Sequence, residues 1–307
     1  MKIVIMGAGG LGGYIGGQLL RAGRDVSLVA RGAHLEALKS TGLEVRWNGT
    51  SARLPSVAAT GDPAALPTAD LIIVAVKSYD LAGAMDAMRP IVGPETAIVP
   101  ILNGVDHIRL LNEAFGAGRV LGGLSSMTAH MVAPGIVERL GQHGILEIGE
   151  QPGQSAGSCK QTEALLSVDG LEPRMSARII GSMWQKLAAI CGASVCCVVR
   201  GDKAAVLRGA PETMDLARQL AAEAVKVGQA RGVEVESTAI DAFVQLFDSV
   251  PLGFKPSMLV GLERGQRLEL EALNGAVVRM GRETGMPTPA NAFVYACLKP
   301  YARGASA

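Results

Sequence analysis

Three glycines near the start of the chain, Gly7, Gly9 and Gly12, stand at the G-x-G-x-x-G spacing that a backbone needs to cradle a pyrophosphate. In that arrangement the first glycine permits a tight turn and the second lets backbone approach the phosphates. The third lets a helix pack closely on a strand. The run Gly7, Ala8, Gly9, Gly10, Leu11, Gly12 follows a short apolar segment and opens a helix-like stretch, the context the motif requires. The helix start then offers N–H groups and partial positive charge to an anion. Asp25 to Ala30 reads as the next strand, and where an NAD enzyme usually carries an acid for the ribose hydroxyls this chain reads Ala30-Arg31-Gly32. The Arg31 guanidinium can pair with a 2′-phosphate, so NADPH is the expected cofactor; the alternative is a solvated surface arginine.

The elements that must position these residues follow a repeating pattern. Lys2 to Met6, Asp25 to Ala30, Leu71 to Val76 and Thr96 to Pro100 are short apolar runs of the buried parallel-strand kind, with helical stretches between them. Val120 to Leu124 is expected as a further strand. Strands alternating with helices predict an α/β fold, an N-terminal Rossmann-type doubly wound parallel sheet. From Ser125 to Gly149 the runs shorten around a Pro134-Gly135 turn, which suggests an antiparallel edge on that sheet. Gln151 to Ser158 reads as a surface loop before a helix ending near Gly170. From Arg178 onward the chain reads as helical almost throughout, with Thr213 to Arg231 and Leu268 to Gly285 carrying helical spacing and Gly232 and Gly285 at expected C-caps. The expected domains are 1–177, binding the dinucleotide, and 178–307, an all-α domain for substrate and catalysis.

Composition narrows the function classes. The 307 residues carry a net charge of +1, which gives no electrostatic footprint for nucleic acid or an acidic membrane. No apolar run reads as a membrane span, and a soluble cytoplasmic protein is expected. Five cysteines (Cys159, Cys191, Cys196, Cys197, Cys297) lack C-x-x-C spacing and read as reduced, small buried hydrophobes. The four histidines offer no zinc-ligand spacing, so no metal is expected.

With these residues in place the chain resembles the ketopantoate reductase (2-dehydropantoate 2-reductase) family over nearly its full length. The resemblance rests on Gly7 to Gly12, Val76-Lys77-Ser78, Asn103-Gly104, Trp184-Gln-Lys186-Leu187, Lys255-Pro-Ser257-Met258, Glu269 and Asn274-Gly275. It implies a Rossmann domain, an all-helical C-terminal domain, and NADPH-linked reduction of a 2-keto acid in the cleft between them. The partner expected is a small-molecule carbonyl substrate, and the apolar helices of the second half either pack internally or form a homodimer.

The residues point to similar chemistry on their own account. Hydride addition to a ketone develops negative charge on oxygen, which must be stabilised and protonated. Lys186, in the apolar context WQKLAAICGASVCCVV near the start of the first helix of the second domain, can do both, because burial lowers a lysine's pKa toward the working range. Glu269 would accept a hydrogen bond from the substrate hydroxyl or from Lys186. The alternatives are a surface lysine and a solvated helix carboxylate. Ser257 either binds a substrate carboxylate or caps the helix beginning near Met258. Asn103, at the carboxyl edge of the sheet, could contact nicotinamide or substrate, or be a turn residue with Gly104. Lys77, at the end of another strand, could approach the cofactor.

The resemblance breaks at two positions that in the family usually carry substrate-contacting asparagines, four and eight residues after the lysine. Here they are Ile190 and Ser194, and Gly261 stands where an acid is common. The substrate is then either 2-dehydropantoate, held through compensating contacts, or a different, less polar carbonyl compound. Three readings compete: a non-catalytic NADPH-binding regulator, a related hydroxy-acid dehydrogenase, and a dehydratase or isomerase on the same scaffold.

Overall fold

The computed structural model describes residues 1–154, 157–236, 238, 240 and 252–305. Ser155 and Ala156 of the expected surface loop, and 241–251 of the expected helical half, lie outside the described residues. The chain divides into two compact units: Met1–Leu102 with His107–Ile179, and Asn103–Asp106 with Ile180–Ala307.

The first unit is built on five parallel strands. β1 (Lys2–Met6) leads through α1 (Gly10–Arg21) to β2 (Asp25–Val29), then α2 (Gly32–Ser40). β3 (Leu43–Trp47), β4 (Thr50–Leu54) and β5 (Ala58–Thr60) follow. Next come β6 (Ala69–Val74), α3 (Leu81–Met88), β7 (Val92–Pro100) and α4 (Asp106–Phe115). The strand order β5-β2-β1-β6-β7, parallel at every pair, is that of a doubly wound nucleotide-binding sheet. Its strands are apolar without alternation because helices cover both faces; Ile3, Ile5, Leu28, Ile72 and Ile73 are all buried. Helix α1 sits tightly on its neighbours: a Cβ at Gly16 would lie 2.6 Å from Leu28, and one at Gly17 would lie 2.3 Å from Val45.

The region after β7 departs from the expected antiparallel edge. β8 (Gly122–Ser125), β9 (Thr128–Ala133), β10 (Ile136–Leu140), β11 (Ile145–Gly149) and, after α5 (Ser158–Leu166), β12 (Glu172–Met175) form two further sheets with β3 and β4. β9 and β10 do form a hairpin around Pro134-Gly135, but β10 pairs with β3 in parallel, giving the order β4-β3-β10-β9. β8 pairs with β11 in the order β12-β11-β8; the strand expected from Val120 meets the parallel sheet through a bridge between Val120 and Ile98 and the close approach of Gly123 to Pro100, without joining that sheet's strand order. Alternating burial marks a strand as half-covered but does not name its partner. Here β3, with Leu43, Val45 and Trp47 buried in alternation, provides it.

The described part of the second unit is helical: α6 (Ile179–Ala193), α7 (Val195–Val199), α8 (Lys203–Gly209), α9 (Pro211–Ala230), α10 (Ser257–Glu263), α11 (Asn274–Thr284) and α12 (Pro289–Leu298). Its core is mainly Ala, Leu, Val, Met and Cys around Trp184, including Leu187, Cys191, Cys196, Leu220, Leu259 and Val277. Small side chains bring helices close: a Cβ at Gly228 would lie 2.8 Å from the Trp184 ring. Gly285 closes α11 in the left-handed conformation (φ 71°). The helix expected from Leu268 begins only at Asn274, after a short 3-10 turn over Leu270–Ala272. Lys186 lies in the middle of α6 rather than near its start. Residues Ile179–Val199 are long and apolar enough to cross a membrane by length and composition alone, although Gln185 and Lys186 interrupt the apolar run, and most of the segment is buried in the protein. This is the character of a core helix.

Candidate active site

The glycine turn after β1 is locked from several sides. Gly7 has φ +96°, where a side chain would be strained and would also meet Val76 at 2.7 Å. The N–H groups of Gly7 and Ala8 donate to the Val29 carbonyl at 3.2 and 2.8 Å, fastening the turn to the end of β2. A Cβ at Gly12 would fall 2.2 Å from the Gly7 carbonyl oxygen, and one at Gly10 would fall 2.4 Å from His130 Cα. Gly9 differs from them all: no heavy atom lies within 4 Å of where its Cβ would stand. It is also the N-cap of α1, and no side chain caps that end. The first-turn N–H groups of Gly10, Leu11 and Gly12 have no acceptor within the helix by its geometry. An open cradle at the positive end of a helix, edged by glycine, fits a pyrophosphate.

His34, not singled out in the sequence, holds this turn from below. Its Nε2 donates to the Ala8 carbonyl at 2.7 Å, and its Nδ1 accepts from the Gly135 N–H at 3.0 Å. Since the amide can only donate, Nδ1 must be unprotonated and the ring neutral. Burial lowers the His34 pKa below 6.5, with the Ala8 hydrogen bond opposing the shift. The partners lie 26 and 101 residues away, so no local sequence signal pointed to it.

Arg31 stands at the end of β2, as N-cap of α2, with its side chain 82% exposed. Its guanidinium pairs with Asp80 at 2.5 Å, an acid 49 residues downstream and 27% exposed. Lys77 follows β6 as an exposed residue flanking the short 3-10 turn Ser78–Asp80.

In the helical unit, burial alternates around α6 so that Gln185, Lys186, Ala189 and Ile190 form a half-buried stripe while Met183, Trp184, Leu187, Ala188 and Cys191 face the core. Lys186 and Ile190, one turn apart, share that stripe. Burial pushes the Lys186 amine down to about 8, and the negative charge of Glu269 opposes the fall. These two sequence candidates are therefore brought within electrostatic reach of each other. Ser194 is 1% exposed; its hydroxyl donates to the Cys191 carbonyl at 2.5 Å and accepts from Asn274 Nδ2 at 3.1 Å. Asn274 Nδ2 also donates to Asn291 Oδ1 at 3.0 Å, and Asn291 Nδ2 donates to Glu223 Oε2 at 2.7 Å. The Ser194 donor is thus used inside this network. Ser257 is the first residue of α10, at an exposed position, and Pro256 rather than Ser257 is the N-cap. Asn103 clusters with the helical unit, beside Gly104, whose φ is +92° and whose Cβ position lies 2.6 Å from the Ala272 carbonyl.

Known proteins with this architecture match nearly the whole length of the chain. Residues 3–153 match the family profile described as ketopantoate reductase PanE/ApbA, and residues 178–302 match its C-terminal counterpart. A 2-dehydropantoate 2-reductase of Pyrococcus horikoshii is 28% identical over 97% of both chains. The crystal structure of a PanE/ApbA family ketopantoate reductase from Ralstonia eutropha superimposes with a TM-score of 0.89 at 30% identity, covering 98% of each chain. A D-mandelate dehydrogenase solved with NADH and anilino(oxo)acetate shares the fold at a TM-score of 0.91 and 23% identity, over 98% of each chain.

Proposed function

The chain belongs to the ketopantoate reductase family of oxidoreductases, and from that premise we propose that it reduces the ketone of a small 2-oxo acid with NADPH, 2-dehydropantoate to pantoate being the first substrate to test. The observation that carries this reading is the Lys186 amine, desolvated to a pKa of about 8 and supported by the charge of Glu269. An amine in that range holds a proton near neutral pH and gives it up readily. Bound NADPH supplies the hydride that adds to the carbonyl carbon.

The chain's own residues account for the rest. The ammonium of Lys186 stabilises charge developing on the carbonyl oxygen and delivers the proton that completes the alcohol, then regains one from solvent. Glu269 keeps the amine protonated and orients the substrate hydroxyl. Ser257 and Asn103 offer exposed or half-buried polar groups for the carboxylate and the substrate or nicotinamide amide. Gly7 to Gly12 bind the pyrophosphate, with Arg31 and Lys77 serving the phosphates of the adenosine half.

A second reading concerns the substrate, and one observation favours it. Ile190 presents an apolar surface one turn from Lys186, and the Ser194 hydroxyl is engaged with Cys191 and Asn274. That supports a 2-oxo acid with a less polar substituent than 2-dehydropantoate. The deciding experiment follows NADPH oxidation by the purified protein with 2-dehydropantoate and with branched and aromatic 2-oxo acids, Lys186→Ala serving as control. Turnover of one of these acids that is lost in the variant is the expected result. Turnover unchanged in Lys186→Ala overturns the assignment.

A further inference from the structure

The pair formed by Arg31 and Asp80 joins two segments that flank the glycine turn. Arg31 follows β2 as the N-cap of α2, Asp80 is the N-cap of α3 in the segment that follows β6, and β1 lies between β2 and β6 in the sheet. The partners are unequal: Asp80 is 27% exposed and Arg31 82%. The carboxylate is the better-anchored group, and the guanidinium the one able to turn.

A carboxylate 2.5 Å from Nη2 of this arginine acts directly on whatever anion the arginine is to read. A 2′-phosphate must share the guanidinium with Asp80 or displace it, and in either case it meets the carboxylate's negative charge. A dinucleotide with a plain 2′-hydroxyl meets no such repulsion. We propose that Asp80 is a specificity-determining residue for the cofactor, acting through Arg31 to weaken discrimination in favour of the 2′-phosphate, so that NADH is also bound. This inference rests on the dinucleotide reading of the glycine turn given above.

The test is binding, measured by isothermal titration calorimetry with NADPH and NADH separately. Wild type is compared with Asp80→Asn, Asp80→Ser and the charge-preserving Asp80→Glu, each first checked for folding by circular dichroism. Removing the charge should raise the NADPH-to-NADH affinity ratio roughly three- to fivefold, the scale of an exposed ion pair. The gain should appear as tighter NADPH binding, Asp80→Glu should keep the wild-type ratio, and in an Arg31→Ala background the Asp80 substitution should no longer move it. A ratio unchanged within twofold in both neutral variants overturns the proposal, as does an equal change without Arg31. If wild type binds neither dinucleotide, the dinucleotide reading itself falls. If it binds both and the ratio stays fixed, only the role of Asp80 does.

Discussion

Glu269 supplies the negative charge that holds the pKa of the Lys186 amine up against the desolvation drawing it down to about 8. The two residues belong to one helical unit, Lys186 at mid-helix and Glu269 just before the 3-10 turn that precedes α11.

With Lys186 as the proton donor proposed above, ketone reduction would use the ammonium form, so its rate should fall as pH rises through about 8, while oxidation of the corresponding alcohol should rise over the same range. Lys186→Ala should lower kcat by about 10²–10⁴-fold and abolish this limb. Steady-state kinetics from pH 6 to 10 read both effects (roughly the span over which such an amine titrates). A limb that survives in Lys186→Ala assigns the titration to another group.

Glu269→Gln removes the opposing charge, so the basic limb should move below its wild-type position and Glu269→Asp should return it part of the way. A displaced limb separates an electrostatic role from loss of structure, which would lower kcat at every pH alike. An unmoved profile in a folded Glu269→Gln enzyme contradicts the coupling.

Two glycines of one turn should respond in opposite ways to alanine. Gly12→Ala places a methyl 2.2 Å from the Gly7 carbonyl and should destabilise by about 1–3 kcal/mol. Gly9→Ala meets nothing within 4 Å, so thermal unfolding should stay near wild type while dinucleotide affinity drops, because the methyl occupies the open cradle. Unchanged affinity in Gly9→Ala would place the phosphates elsewhere.

The neutral ring of His34 ties stability to pH. Its folded pKa is lowered, so below 6.5 the unfolded chain takes up protons that the folded one resists. The contribution is therefore complete above pH 6.5 and lost as pH falls through the lowered folded value. Urea unfolding at pH 5 to 8 should show this slope (roughly the range in which a histidine titrates). His34→Ala should flatten it while costing about 1–3 kcal/mol, because the Ala8 carbonyl and Gly135 amide lose their partner.

Thiol chemistry offers an independent check on packing. Cys159, Cys191, Cys196 and Cys197 are buried, and burial pushes Cys159 up to about 11 and Cys197 up to about 12. A thiol-reactive disulfide reagent at pH 8 should label Cys297 alone in the native protein and all five cysteines in denaturant. Rapid native labelling of a second thiol would show that a buried position opens.

What the sequence made legible was local. The glycine spacing sits between a strand and a helix that are contiguous in the chain, and the apolar run around Lys186 foretold a desolvated amine. Pairings over long separations were not readable: Asp80 against Arg31, Gly135 against His34, and β10 beside β3, whose alternating residues declare a strand without declaring its neighbour. The placing of Ser257 at N1 rather than as cap turned on which residue adopts extended backbone, and Pro256 does. The commitment of Ser194 to Cys191 and Asn274 likewise depends on helices that the sequence shows only as separate periodic stretches.

The four residues Asn103–Asp106 cluster with the helices although their neighbours on both sides belong to the sheet unit. Asp106 pairs with Arg279, and the backbone at Gly104 lies against Ala272. The polypeptide therefore passes from one unit to the other three times, and no single scissile point separates them. A C-terminal half expressed alone would lack this inserted stretch, leaving Arg279 without its acid and Ala272 uncovered, so gene dissection should give a poorly behaved fragment where the intact chain gives a stable one.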